Sequence, residues 1–223
     1  NDSASHKLTR NDFTFPILSI MSGKKMINYL KKMMGETHLE DFWVTSYCVS
    51  TNFSNASTRI HDSGVAWKQI AASIAIPGIY PPVVIDHQLH VDGGVVDNLP
   101  IETMYNYPVR HIIAISLTQL RSQPVKFEEI PSAGTLLMDS LLGRKKYRLP
   151  GITSILVNSL TLNSRQKQEM SKSGVAVYLE MELKGIGMLD DSKWREIVQK
   201  GHDQMKSALE SLPDQEKFWV RVS

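Results

Sequence analysis

Cysteine is nearly absent from this sequence of 223 residues, which has Cys48 alone. One cysteine excludes a disulfide within the chain and is compatible with a reducing compartment. Long apolar runs are lacking as well, since none approaches the roughly 18 residues that a membrane-spanning helix needs. The formal net charge of +2 is too small to indicate nucleic-acid binding. These absences predict a protein that lies in the cytoplasm or contacts a membrane peripherally.

The sequence also lacks the patterns of secretion and of cofactor chemistry. Residues 1–10 are polar and contain no apolar segment of the kind found in signal peptides. No group of His, Cys and carboxylate residues has metal-ligand spacing, and no motif indicates a nucleotide or redox group. We therefore expect no cofactor. With 42% hydrophobic residues, the chain is long enough to enclose a sizeable core.

The most informative stretch covers residues 88–101, QLHVDGGVVDNLPI. Apolar and polar residues alternate up to Asp92, as on a half-buried strand, and Gly93-Gly94 then ends the strand. Two residues without a Cβ atom allow a sharp turn and let another group approach Asp92 closely. The motif therefore places a carboxylate where a strand ends, which is where α/β folds gather their ligand sites. Taken alone, Asp92-Gly93 would predict only an ordinary Asp-Gly turn.

Strand-like and helical segments alternate through the rest of the chain. Pro100 fits the first position of a helix, with Asp97 or Asn98 as its cap. We expect strands at 44–51, 58–61, 83–85, 109–117 and 175–181, and helices at 24–34, 67–75, 152–172 and 192–212. The strands at 44–51 and 109–117 are apolar enough to be buried on both faces. This order predicts an α/β fold with a mainly parallel central sheet flanked by helices.

Further motifs lie before the Asp-Gly-Gly turn. They are LEDFW at 39–43, CVSTN at 48–52, RIH at 59–61 and WKQIAASIAIPGIYPP at 67–82. Together with Asp-Gly-Gly followed four residues later by Asn-x-Pro, these segments resemble the patatin-like phospholipase family, most closely its neuropathy target esterase branch. The matching motifs spread over roughly residues 11–120.

The resemblance implies a three-layer α/β/α serine hydrolase that uses a Ser-Asp dyad. Asp92 corresponds to the catalytic base of that family, within the motif completed by Gly93 and Gly94. The family's serine lies in a Gly-x-Ser-x-Gly elbow, and a glycine-rich loop supplies its oxyanion hole. None of the 13 glycines here begins such an elbow, and no glycine-rich loop precedes a helix. Because both elements precede the equivalent of residue 11 in the family, we expect the N-terminal part of the fold to be missing.

A change of composition at Gln119, where a looser stretch begins, divides the chain into two parts. Residues 1–118 would be the C-terminal part of the hydrolase domain, and residues 119–223 a helical extension packed on the same core. The implied reaction is hydrolysis of acyl esters of (lyso)phospholipids, and without the serine we expect residues 1–223 alone to be inactive. The alternative is a non-catalytic module that binds a lipid surface or a protein partner, which basic segments at Lys24–Lys32 and Arg144–Arg148 favour.

Three other polar residues invite a catalytic interpretation. His61 would complete a Ser-His-Asp triad with Asp92, but the resembled family uses no histidine, so we expect a structural role. Ser73 lies within the expected helix 67–75, is followed by Ile74-Ala75 and lacks the elbow pattern, so it is interpreted as a packing residue. Cys48 lies in an apolar strand, where burial is the more common role of a cysteine.

Overall fold

The computed structural model describes residues 12–117, 127–143, 147, 149, 152–181, 183 and 193–213. The helices in these ranges are α1 (Lys24–Met34), α2 (Ala66–Ser73), α3 (Ile101–Met104), α4 (Ala133–Leu141), α5 (Ile152–Leu160), α6 (Leu162–Ser171) and α7 (Trp194–Glu210). The strands are β1 (Cys48–Asn52), β2 (Ser57–His61), β3 (Val83–Ile85), β4 (Gln88–Asp92), β5 (Ile113–Ser116) and β6 (Val177–Glu180). The basic residues expected at 144–148 lie outside the described part of the chain.

Four strands form one antiparallel sheet in the order β2-β1-β4-β3. At its centre β1 pairs with β4, and Ser50 lies opposite Asp92. Asp86 and His87 join β3 to β4 with φ angles of 50° and 60°, as a two-residue hairpin turn requires. The link from β1 to β2 is almost as short and contains Ala56 at a φ of 54°. Loops of this length join antiparallel neighbours, because a parallel connection needs a dozen or more residues.

β5 and β6 form a separate parallel pair in which Ile113 lies opposite Val177. The mixture of helices with two sheets confirms the α/β class. Parallel pairing was expected for most strands, whereas among the described strands it is confined to this pair, because hairpins connect the other four. β5 is also shorter than expected and buried on one face, since Ile113 and Ile115 are 43% and 48% exposed.

The main core lies between α1, α2 and the four-stranded sheet. Met26 and Leu30, four residues apart on α1, face this core and join Ala71 of α2 and Ile79 in one buried cluster. Lysines lie on the opposite, solvent-facing side of α1, as its periodicity predicts. α2 lies over β1, β3 and β4 and thereby covers one face of the sheet.

The helix expected at 152–172 is divided into α5 and α6 at Thr161. The Thr161 hydroxyl donates to the carbonyl oxygens of Val157 and Asn158, at 3.0 and 3.3 Å, in addition to the bond from the Thr161 N–H to the Val157 carbonyl oxygen. α6 is attached to the parallel pair through Gln168, whose Nε2 donates to Ser116 Oγ at 2.6 Å.

α7 is the longest helix in the described ranges and lies against β6. One of its sides is half-buried at helical spacing, at Trp194, Ile197, Met205 and Leu209. No helix within the described residues combines the length and the apolarity needed to cross a bilayer.

Candidate active site

Asp92 ends β4 and begins a single 3-10 turn over Gly93–Val95. Its carboxylate Oδ1 accepts a hydrogen bond from the Gly94 N–H at 2.6 Å. The Asp92 N–H donates to the Ala75 carbonyl oxygen at 3.0 Å, and the Asp92 carbonyl oxygen accepts from Thr51 Oγ1 at 3.0 Å. The backbone of Asp92 is therefore held by two neighbouring elements, and its side chain by the turn that follows.

Both glycines of the motif lie in close contacts, and the contact of Gly93 is with backbone atoms. A Cβ atom on Gly93 would lie 2.2 Å from the Val49 carbonyl oxygen, far inside van der Waals contact. A Cβ atom on Gly94 would lie 2.9 Å from Asn98 Oδ1 and 3.0 Å from Asp92 Oδ1. Any larger residue at Gly93 would push the turn away from β1 and shift the Asp92 carboxylate with it.

The surroundings of Asp92 make its carboxylate a better base than an exposed one. Burial raises its pKa, and the hydrogen bond from Gly94 opposes this effect without cancelling it. In the described part of the chain no donor binds the second oxygen, Oδ2. A partly exposed carboxylate with a raised pKa and one oxygen open is suited to accept a proton from a nearby hydroxyl.

The far side of the turn is fixed by α6. Lys167 Nζ lies 2.6 Å from Oδ2 of the buried Asp97 and 3.2 Å from Glu102 Oε2. The Asn98 N–H donates to the buried Ser164 Oγ at 2.5 Å. The expectation that Asp97 or Asn98 caps the next helix is therefore wrong. α3 begins at Ile101 with Pro100 at its N-cap position and no side-chain cap, while the Asp97 carboxylate is paired with Lys167.

A second polar cluster lies on the same face of the sheet. Ser50 Oγ is 2.7 Å from His61 Nε2 and 2.8 Å from His90 Nδ1, so one hydroxyl joins three strands. Sequence reasoning missed Ser50, because within its apolar strand nothing local distinguishes it. The inward positions of Ser50 and His90 become evident only from the register of β1 against β4.

This cluster does not have the properties of a catalytic site. Ser50 is fully buried, and His61 and His90 are 3% and 2% exposed. Burial lowers the pKa of His61 to about 4 and also lowers that of His90, so both rings are neutral near pH 7. Within the described residues neither ring bonds to Asp92, and His61 is thus not brought into a triad with it.

Cys48 and Ser73 meet each other beneath α2. Burial raises the pKa of the Cys48 thiol to about 11, which leaves it protonated and unreactive at neutral pH. Ser73 hydrogen-bonds this thiol, which is a packing contact between α2 and the sheet. In the described ranges no three His, Cys, Asp or Glu side chains lie close enough together to hold a metal ion.

Comparison with known proteins assigns the class of protein that carries this turn. Residues 1–105 match the family model described as patatin-like phospholipase, and this part of the chain belongs to that family. The match includes Asp92 and the following glycines, and it ends before α6.

Individual relatives place the chain in the neuropathy target esterase-like branch. The chain is 30% identical over 212 residues to lysophospholipase NTE1 of Meyerozyma guilliermondii, covering 91% of this chain and 15% of that protein. It is 30% identical over 211 residues to lysophospholipase NTE1 of Saccharomyces cerevisiae, covering 93% of this chain and 12% of that protein. The chain thus spans only 12–15% of the length of these relatives.

Proposed function

We propose that Asp92 is the general base of a carboxylic ester hydrolase that acts on (lyso)phospholipids. The observation that carries the proposal is the carboxylate at the end of β4, with Oδ1 bound to the Gly94 N–H and Oδ2 open. The raised pKa of Asp92 supports the same role. The names of the relatives, lysophospholipases, support the substrate class.

The nucleophile in this proposal is a serine in a Gly-x-Ser-x-Gly elbow outside residues 1–223, which contain no such motif. Asp92 accepts the hydroxyl proton as the serine oxygen attacks the ester carbonyl, and it returns that proton to the departing alcohol. Water then attacks the acyl-enzyme and gives its proton to Asp92, which passes that proton to the departing serine oxygen, so that the fatty acid leaves and the serine hydroxyl and the Asp92 carboxylate are re-formed. Residues 1–118 supply the base, and residues 119–223 support it from α6.

The test is Asp92→Asn in the intact protein, with hydrolysis of lysophosphatidylcholine as the measurement. Loss of the base lowers kcat by about 10²- to 10⁴-fold. Asp86→Asn is the matched control, because it makes the same chemical change in the exposed turn at the other end of β4, where a φ of 50° suits asparagine. Hydrolysis that survives Asp92→Asn unchanged rejects Asp92 as the base.

The position of the serine is tested separately with a fluorophosphonate. The label should appear on a serine of a Gly-x-Ser-x-Gly elbow outside residues 1–223, and residues 1–223 alone should neither react nor hydrolyse ester. A labelled serine within residues 1–223 would contradict this. An intact protein that does not label at all would leave the binding module as the better account.

A further inference from the structure

We propose that residues 13–18 form a docking loop for an anionic lipid surface, beside the Asp92 turn. The loop, FTFPIL, exposes four large apolar side chains by between 71% and 82%, namely Phe13, Phe15, Ile17 and Leu18. Single exposed apolar residues are ordinary on a protein surface, but four of this size within six residues indicate a contact site.

The loop is held firmly in this exposed position. Thr14 N–H donates to the Ile20 carbonyl oxygen at 3.0 Å across the loop, and Ser22 N–H donates to the Asp12 carbonyl oxygen at 2.7 Å at its base. Ile20 N–H donates to Gly78 and thereby fixes the loop to the core. Because the backbone is already ordered, inserting the side chains into a membrane loses little conformational entropy.

The charges next to the loop identify the occupant as a lipid surface of negative charge. α1 begins at Lys24, with residues 19–23 between it and the loop, and contains four lysines and no acidic residue. Its buried positions Met26 and Leu30 turn the lysines outward, and Lys24 and Lys32 are both exposed. An apolar surface flanked by lysines matches the interface of an anionic membrane, where headgroups meet acyl chains.

The position of the loop also connects it to the site. Asp92 N–H donates to the Ala75 carbonyl oxygen, and Ile20 N–H to that of Gly78, both at 3.0 Å. The two attachment points are three residues apart, at most about 11 Å along an extended chain. The attachment point of the loop and that of the Asp92 turn are therefore neighbours in the fold, so a membrane that holds the loop would lie near the Asp92 turn.

Docking does not depend on hydrolysis, so we would measure it in the intact protein carrying Asp92→Asn, by flotation with phosphatidylcholine vesicles with and without phosphatidylserine. Phe15→Ser should weaken binding to both vesicle types by about tenfold or more, since it removes a large inserted side chain. Phe53→Ser should have no effect; Phe53 is 69% exposed but lies at the opposite end of β4, where its N–H donates to Leu89.

Lys24→Gln with Lys32→Gln tests the charge, and should weaken binding only to phosphatidylserine vesicles, by about fivefold for each lysine. High salt should reproduce this loss in the parent protein. The proposal is overturned if the parent protein does not float, or if Phe15→Ser floats as well as Phe53→Ser. In both cases the loop faces another segment or a second copy instead of lipid. The activity of Asp92→Asn alone decides the proposed hydrolase, whatever the flotation shows.

Discussion

Asp92 and Ser50 lie opposite each other on adjacent strands, yet their surroundings differ in the property that matters for catalysis. Asp92 is partly exposed at the end of β4, and its Oδ1 accepts from a backbone N–H. Ser50 is fully buried between His61 and His90. By residue type the serine with two histidines is the more familiar catalytic set. Burial makes Asp92 the better catalytic candidate of the two. No substrate can reach the Ser50 hydroxyl, so this hydroxyl contributes only to the stability of the sheet.

The comparison teaches that a raised and a lowered pKa have one cause here, with different consequences. Burial disfavours the charged form of both groups, so it raises the pKa of Asp92 and lowers the pKa of His61 to about 4. For Asp92 the result is a stronger base that remains accessible. For His61 the result is a neutral ring that shares a hydrogen bond with Ser50 inside the sheet.

The largest expected effect tests whether the buried cluster is structural. Ser50→Ala leaves His61 and His90 without their shared partner, and each lost hydrogen bond at a buried group costs about 1–3 kcal/mol. We expect β1, β2 and β4 to lose about 2–6 kcal/mol of local stability, measured by hydrogen exchange in the intact protein. Ser46→Ala is the control, since Ser46 bonds only the Val44 carbonyl at an exposed position.

Hydrolysis distinguishes the two interpretations of this cluster. Protein with Ser50→Ala that remains folded should keep its kcat, because Asp92 and its turn are bound through other residues. A folded variant that loses hydrolysis as completely as Asp92→Asn would break the comparison and make Ser50 catalytic.

A smaller loss of stability is expected at acid pH. The folded pKa of His61, about 4, lies below the ordinary value of 6.5, so the folded state binds fewer protons than the unfolded state. The stability associated with neutral His61 is therefore fully present above pH 6.5 and is lost as the pH falls towards 4, by up to about 3 kcal/mol. Hydrogen exchange of β1 and β2 as a function of pH, corrected for intrinsic rates, measures this loss.

His61→Gln should reduce that dependence, because glutamine retains a hydrogen-bonding group but does not titrate; the remainder belongs to His90, whose pKa burial also lowers. His38→Gln should leave it unchanged, since His38 is exposed next to Glu40. If the whole slope survives His61→Gln combined with His90→Gln, the titrating group is another residue and the cluster is not the acid-sensitive part of the sheet.

The local sequence pattern was sufficient to predict Asp92 and the turn after it. It was not sufficient to predict the residues that surround this turn in the fold. The alternation up to Asp92 and the following glycine pair predicted a carboxylate at a strand end, because both signals act within a few residues. The same is true of α1, where the spacing of Met26 and Leu30 identifies the buried side. Strand direction was less accessible, since the Asp86-His87 turn carries no glycine to mark a tight hairpin.

The contacts that the sequence did not predict join residues that are far apart in the chain. Ser50 meets His90 across 40 residues, and Lys167 meets Asp97 across 70. Such contacts depend on strand register and on helix docking, and neither can be recognised from the residues next to them in the sequence. Asp97 illustrates the consequence, because its local context suggested a helix cap, whereas its carboxylate is paired with Lys167.

The smallest expected effect concerns the support that α6 gives to the Asp92 turn. The Ser50 cluster is confined to one sheet, whereas Asp97 and Asn98 depend on Lys167 and Ser164 from a distant helix. Lys167→Met leaves the buried Asp97 carboxylate unpaired, but Lys167 is itself 38% exposed, so water screens the pair. We expect a local loss of about 1–2 kcal/mol at residues 93–98, seen by hydrogen exchange.

Because a displaced turn moves the carboxylate, Lys167→Met should also lower kcat more than it raises KM, and Lys167→Arg should restore most of it. Lys200→Met on α7 is the matched control, since Lys200 pairs with Glu196 at an exposed i, i+4 spacing worth about 0.3–0.5 kcal/mol. Unchanged exchange at residues 93–98 would show that the Asp92 turn is as self-contained as the Ser50 cluster. The support from α6 would then be limited to packing, and the difference between the two regions would reduce to exposure alone.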